Sequence, residues 1–340
     1  MVTCIEGRSA DEVWTKAARM LMDGGCAVTS DSRLGVTKEI RQCVLSIGQP
    51  TCRWTNSRLP AINPAFAIAE TVWILAGARE SESINYWNAQ LPKFAGTGEI
   101  YHGAYGFRLR THFGRDQLAN AYSTLKHNPT SRQVVLQIWD PTVDLPNAHG
   151  SPASPEIPCN VGAFLKVRDG KLDWTQIVRS NDIFRGLPYN LIQFSVLQEV
   201  IAGWLGLEVG TYTQLSDSLH LYETDFSTMN ICSNSGAICD EDSSLALEKG
   251  RFDEVLQLLV RTFERFSASD LSQREFEQLH NVTEIPQGYL DHMLIVAAEA
   301  ARKRGWNDQI GNIICRCKSG QLLLAWERWL QRGEEHRQSV

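Results

Sequence analysis

Residues 156–190 read EIPCNVGAFLKVRDGKLDWTQIVRSNDIFRGLPYN, and the fold turns on that stretch. Residues 161–168 and 171–179 have strand length and composition. Arg168-Asp169-Gly170 between them is a tight-turn signal, so a β-hairpin is predicted. Cys159 enters the hairpin and Arg179 leaves it, which puts a thiol beside a guanidinium. A cysteine attacks as its thiolate, and positive charge or donors nearby favour that form. Arg179-Ser180 also suits a phosphate, as a planar fork beside a hydroxyl. Asp182 can accept a ring N–H, and Asn190 carries a donor and an acceptor on one planar group, as an amide-like ring edge requires.

Further along, a long apolar helix is predicted over about 190–205 and a strand over 208–216. Local sequence makes Asn190 the N-cap of that helix. His220 and Tyr222 alternate, so they share a face. Upstream, Ser9-Ala10-Asp11-Glu12 is a capping box opening a first helix, which Gly24-Gly25 stops. Strands are expected within 39–54 and at 132–139, a loop over 92–117 and a helix over 118–127. Residues 65–77 form an apolar helix carrying one carboxylate, Glu70, which is costly to bury unless it is paired or functional. Beyond 243, helices are predicted at 244–267, 288–304 and 320–332, with a breaker at Pro286-Gln287-Gly288. The fold class is α+β: one domain over 1–340, of which 240–340 is a mostly helical region.

The 340 residues are 43% hydrophobic and 21% charged, an ordinary soluble composition. A net charge of −6 argues against a broad nucleic-acid surface. No apolar run is long enough to span a bilayer, and the N-terminus lacks a signal pattern, so a cytoplasmic protein with no membrane contact is expected. Nine scattered cysteines fit reduced thiols, and Cys315-Arg316-Cys317 has no second pair to complete a zinc site, so no metal is expected. The residues alone point to a nucleophilic-cysteine enzyme acting on a phosphorylated heterocycle.

The spacing resembles the thymidylate synthases and related pyrimidine-nucleotide hydroxymethylases. Their core reads Pro-Cys-His, Arg-Ser-x-Asp, Gly-x-Pro-x-Asn and His-x-Tyr. Here those positions are Pro158-Cys159-Asn160, Arg179-Ser180-Asn181-Asp182, Gly186-Leu187-Pro188-Tyr189-Asn190 and His220-Leu221-Tyr222. Glu70-Thr71-Val72-Trp73-Ile74-Leu75-Ala76-Gly77, Ala104-Tyr105-Gly106, Asp31-Ser32-Arg33 and Asn128-Pro129-Thr130-Ser131-Arg132 extend the likeness, which covers roughly residues 9–230.

That resemblance implies a mixed twisted sheet packed by helices and a homodimeric transferase. Cys159 would add to C6 of a pyrimidine nucleoside 5′-monophosphate, activating C5 toward the one-carbon unit of 5,10-methylenetetrahydrofolate. Glu70 would organise water and protons, and Tyr105 would assist proton removal at C5. Arg33, Arg179, Ser180 and Arg132 would hold the phosphate, Arg132 from the second subunit. Asn190 would read the base, His220 and Tyr222 the sugar hydroxyl, and Asp182 and Trp87 the folate. Cytosine-selective relatives carry aspartate at the Asn190 position, so uracil is favoured.

Three departures bear on the reaction. Asn160 replaces the usual histidine, Gln133 replaces a second arginine, and the polar C-terminus differs from the apolar tail that closes over folate. Closure excludes water so that hydride transfer competes with hydration. The expected activity is dUMP to dTMP. The alternatives are a dUMP, dCMP or CMP hydroxymethylase, and a non-catalytic nucleotide- or RNA-binding homologue.

Overall fold

The computed structural model describes residues 2–23, 27–32, 35–232, 243–282 and 284–338, with side chains up to residue 332. Its strands are β1 (Thr3–Gly7), β2 (Val28–Ser32), β3 (Gly35–Ile47), β4 (Arg58–Leu59), β5 (Val135–Gln137), β6 (Asn160–Arg168), β7 (Lys171–Val178), β8 (Asn181–Asp182), β9 (Glu208–Tyr222) and β10 (Asn230–Ile231). β4 and β10 form a separate antiparallel ribbon. The others make one mixed sheet, ordered β1-β3-β9-β7-β6-β5, with β2 on β3 and β8 on β9. The predicted hairpin is β6–β7. Asp169 (φ 49°) and Gly170 (φ 74°) both take positive φ in its two-residue turn, the geometry that matches strand twist.

Pairing sets strand length where local sequence did not. β9 runs past the predicted end at 216 because it pairs with β3 on one side and with β7 and β8 on the other. β3 is one long strand, whereas β5 shrinks to three residues because it pairs only with β6. The predicted loop at 92–117 contains the helical segments Leu91–Ala95, Tyr105–Phe107 and Arg108–His112. They are held from a distance: the buried Arg108 guanidinium donates to the His102 carbonyl and to Asp144 at 2.9 Å. The first helix, Ala10–Asp23, starts at the predicted box, with Glu12 N–H donating to Ser9 Oγ at 3.2 Å. Gly24 and Gly25 lie outside the described residues.

Two buried helices position the site. Pro64–Ala76 is capped by Asn63, whose side chain accepts from Phe66 N–H, and ends at left-handed Gly77. Leu187–Leu205 is buried nearly all round, under the sheet and against Pro64–Ala76. The C-terminal helices Lys249–Ser267, Gln287–Arg304 and Gly320–Gln338 pack on Pro64–Ala76 too. Two short helices, Gln273–His280 and Asn307–Ile314, join them without having been expected from the hydrophobic period. Glu199 ties this region to the core: it pairs with buried Arg53 and accepts from Leu245 N–H (2.7 Å) and Ser244 Oγ (3.0 Å).

Side chains on the inner face of the sheet run from Trp174 and Tyr212 through Gln176 and Gln214 to Asn160, Val178 and Ser216, all buried. On the outer face the paired residues Val135 and Phe164 are exposed, continuing through Thr175 and Thr213. Among the described residues, no helix is long and apolar enough to cross a membrane. Cys52 is disulfide-bonded, a departure from the expected reduced thiols, whereas Cys4, Cys43, Cys159, Cys232, Cys315 and Cys317 are free.

Gly106 lets the turn carrying Tyr105 press against the end of helix Pro64–Ala76. A Cβ there would lie 2.3 Å from the Ile74 carbonyl oxygen, a backbone atom that cannot swing aside. Gly106→Ala is expected to cost about 2 kcal/mol or more in urea unfolding. A melt superimposable on wild type would show that the contact yields.

Candidate active site

Cys159 sits at the entrance to β6, half-buried. Its carbonyl accepts from Arg179 N–H at 2.9 Å, so the β6–β7 pairing joins the two residues as predicted. The Arg179 guanidinium donates through Nε to the Pro158 carbonyl and through Nη2 to the Ile157 carbonyl, each at 3.0 Å. It lies 5.4 Å from the Trp139 ring centroid. Arg179 therefore fixes the backbone that presents the thiol, and keeps further N–H groups for an anion. Burial pushes the Cys159 thiol up, Arg179 opposing it, so the resting group is the thiol.

Glu70 rises from helix Pro64–Ala76 and accepts from Gln193 Nε2 at 2.6 Å. Gln193 sits one turn beyond Asn190 on helix Leu187–Leu205, so the crossing of the two helices builds this pair. Among the described residues, the buried Gln193 Oε1 has no partner and remains an open acceptor. Glu156, three residues before Cys159, accepts from Gly103 N–H at 3.0 Å and adds a second negative group. Burial first, and Glu156 second, push the Glu70 carboxyl up to about 8, the Gln193 bond opposing them. Burial holds the Tyr105 phenol above the ordinary tyrosine range, with the neighbouring Cys159 adding to it and Asn160 opposing it.

Asn190 is not the helix N-cap. Gly186 takes that position, and Asn190 N–H already bonds the Gly186 carbonyl at 3.0 Å. Inside the first turn its side chain is free to face the sheet, where Oδ1 accepts from Asn160 Nδ2 (3.4 Å) and Nδ2 donates to Asn181 Oδ1 (3.5 Å). Asp182 turns the chain after β8, its Oδ1 accepting from Phe184 and Arg185 N–H at 2.8 and 2.9 Å. In register beside it stands His220 on β9, ring centroid 5.1 Å from Tyr222. Burial raises the Asp182 carboxyl and lowers the His220 imidazole, while their mutual attraction favours the charged form of each. Burial, and next Asp182, raise the Tyr222 phenol.

The remaining candidates are dispersed. Ser180 is half-buried at the β7–β8 corner. Arg132 is exposed just before edge strand β5. Trp87 is buried, its ring edge-on to Tyr86 and Phe263, and lines a cavity of about 300 Å³ with Trp73, Ile84 and Phe263, whose lining also includes Glu80, Glu82 and Glu264. Arg33 lies outside the described residues. Sequence alone gave no role to Gln193, Gln176 or Glu156. The signal available was polar residues within otherwise apolar buried elements.

A thiol, a carboxyl with raised pKa, a base-sized carboxamide and a His–Tyr pair at one end of a mixed sheet are the equipment for covalent addition to a pyrimidine. The thymidylate synthase family model matches residues 57–285. The chain belongs to the thymidylate synthase family. It is 31% identical over 334 residues, 86% of each chain, to the deoxyuridylate hydroxymethyltransferase of Bacillus phage SP01. The counterpart from Pseudomonas phage M6 is 38% identical over 163 residues, 47% of this chain and 45% of its own. A protein of Methanothermobacter marburgensis named "Putative thymidylate synthase" is 32% identical over 222 residues, 64% of this chain and 93% of its own. The mixed sheet packed by helices is the architecture that the motifs implied, the region beyond 240 is helical as its sequence predicted, and the chain is a folate-dependent one-carbon transferase.

Glu70 gives this site a pH signature. An unfolded glutamate ionises near 4.5, whereas the folded group holds its proton to about 8. Stability from this group is full below the lower value and is lost as pH rises toward the upper one. Glu70→Gln is expected to flatten the fall in urea-unfolding stability between those limits, by as much as about 5 kcal/mol. The same substitution should lower kcat more than KM. Parallel wild-type and variant stability profiles would remove the raised carboxyl from the account.

Proposed function

We propose that this chain hydroxymethylates C5 of dUMP. The observation that carries this is the extent of the likeness to the phage deoxyuridylate hydroxymethyltransferase. It spans 86% of this chain and so must reach into the helical region beyond residue 240. The archaeal likeness covers 64%. On this reading residues 1–340 work as one catalytic unit.

Arg179 and Ser180, with Arg33 and Arg132, hold the phosphate. Asn190 reads the 3,4-edge of uracil, and His220 and Tyr222 take the sugar hydroxyl. Asp182 suits a pteridine N–H, because Oδ2 lies free of the backbone bonds that occupy Oδ1. Trp87 contributes from the cavity below. 5,10-Methylenetetrahydrofolate supplies a one-carbon unit at the oxidation level of formaldehyde. Cys159 Sγ bonds to C6 and makes C5 nucleophilic, which an unsaturated pyrimidine C5 is not. Glu70, protonated near neutral pH, gives and recovers the protons. Tyr105 stays a neutral phenol whose hydroxyl relays the C5 proton. C5 attacks the one-carbon unit as its bond to one folate nitrogen opens and that nitrogen takes up the proton given up by the thiol. Loss of the C5 proton to the second nitrogen breaks the other C–N bond and releases tetrahydrofolate, leaving an exocyclic methylene. Water adds its oxygen there while Sγ leaves C6 and recovers a proton from that water, with no net redox change.

The exposed Val135–Phe164 pair on the outer sheet face, with exposed Arg132 on the adjoining segment, supports a homodimer that stacks sheet on sheet. Mixing inactive Arg132→Ala and Cys159→Ser subunits should recover part of the activity. Mixtures as inactive as their parents would remove Arg132 from the shared site.

Mass spectrometry of the product from dUMP should show addition of CH2O, with tetrahydrofolate released. Addition of CH2 with dihydrofolate would mean methylation instead. Cys159→Ser should lower turnover by about a thousandfold or more and abolish the adduct with 5-fluoro-dUMP. Persistent turnover would disqualify Cys159 as nucleophile.

A further inference from the structure

Beneath helix Leu187–Leu205 the buried polar side chains form one directed chain. Trp174 Nε1 donates to Gln176 Oε1 at 2.9 Å, and Gln176 Nε2 donates to Asn160 Oδ1 at 2.9 Å. Asn160 Nδ2 then donates to Asn190 Oδ1 at 3.4 Å, and Asn190 Nδ2 to Asn181 Oδ1 at 3.5 Å. Asn181 Nδ2 ends the run on Ser216 Oγ at 3.1 Å. Trp174, Gln176, Asn160, Asn181 and Ser216 are all at or near zero exposure.

Amides can point either way, but an indole N–H can only donate. Because Trp174 starts the chain, Gln176 must turn its oxygen toward it. Each later amide must then turn its nitrogen onward. We infer that Trp174, Gln176 and Asn160 are positioning residues that fix the Asn190 carboxamide in one orientation and thereby exclude cytosine.

The inference rests on the reading of Asn190 as the group facing the base. In the orientation imposed, Asn190 keeps one lone pair on Oδ1 and one N–H on Nδ2. Those match the N3–H and O4 of uracil. Cytosine presents an acceptor at N3 and a donor at N4, so the amide would have to turn over. Asn190 Nδ2 would then meet Asn160 Nδ2, and Asn190 Oδ1 would meet Asn181 Oδ1. Relieving that clash means reversing every member back to the indole, which cannot reverse. A site whose buried polar groups would be left unpaired rejects the wrong ligand strongly.

Gln176→Glu and Asn160→Asp keep shape but put an oxygen where the native amide donates. Once ionised, either carboxylate reverses the chain downstream of it. In both variants the dUMP:dCMP ratio of kcat/KM is expected to fall at least tenfold, and to fall further as pH rises and the new carboxyl loses its proton. A merely structural role would lower both substrates together and leave the ratio at its wild-type value at every pH. That result in a folded variant overturns the inference. A neutron structure of wild type decides independently of how the variants fold: deuterons on Asn160 Nδ2 directed at Asn190 are expected, and deuterons directed at Gln176 would overturn it. Absence of a Cys159 adduct in wild type would instead count against the nucleotide reading, and the neutron result would still stand or fall alone.

Discussion

A polar side chain placed between helix Leu187–Leu205 and the sheet is buried, and its hydrogen bonds come from inside the protein. That constraint shapes the site. The helix is apolar nearly all round, and its few polar residues, Asn190, Gln193, Gln198 and Glu199, each meet a specific group from another element. Gln198 Nε2 donates to the Leu172 carbonyl on β7, and Glu199 anchors the segment leading into the C-terminal helices. Asn190 and Gln193 lie at the end proposed to take the nucleotide. One buried helix thus sets the spacing between catalytic groups and joins the two regions of the chain.

The electrostatics follow from the same burial. Cys159, Glu70, Tyr105 and Asp182 all have their charged forms disfavoured by desolvation. Glu156 adds negative charge near three of them, and Arg179 is the main opposing cation at Cys159. A carboxyl that keeps its proton to about 8, beside a thiol and a phenol whose ionisation burial disfavours, suits a reaction that must deliver protons and take them back at neutral pH. It also explains why Arg179 spends two of its donors on the Ile157 and Pro158 carbonyls. The backbone before the nucleophile has no strand partner there, and the guanidinium supplies one.

The motifs carrying the family likeness lie at strand ends and helix starts, where spacing along the chain maps directly onto spacing in the site. That is why Cys159, Arg179, Asp182, Asn190, His220 and Tyr222 are legible in the sequence. The hairpin is legible too, since Asp169-Gly170 is a local signal. The segment 92–117 is not, because its helical turns depend on Arg108 reaching Asp144. The N-cap assignment of Asn190 fails for a related reason: local rules reward a capping side chain, but tertiary packing offers this one two buried amides instead.

From the sequence come the fold class and the candidate site residues, Cys159 among them, because motif spacing and hydrophobic period are properties of the chain. Only the tertiary structure decided the direction of the amide chain, the partnership of Glu70 with Gln193 and the placing of Glu156 against Gly103. Those contacts join residues up to 123 positions apart. Their orientation depends on which group donates, and a donor acquires direction only when a fixed partner stands opposite it.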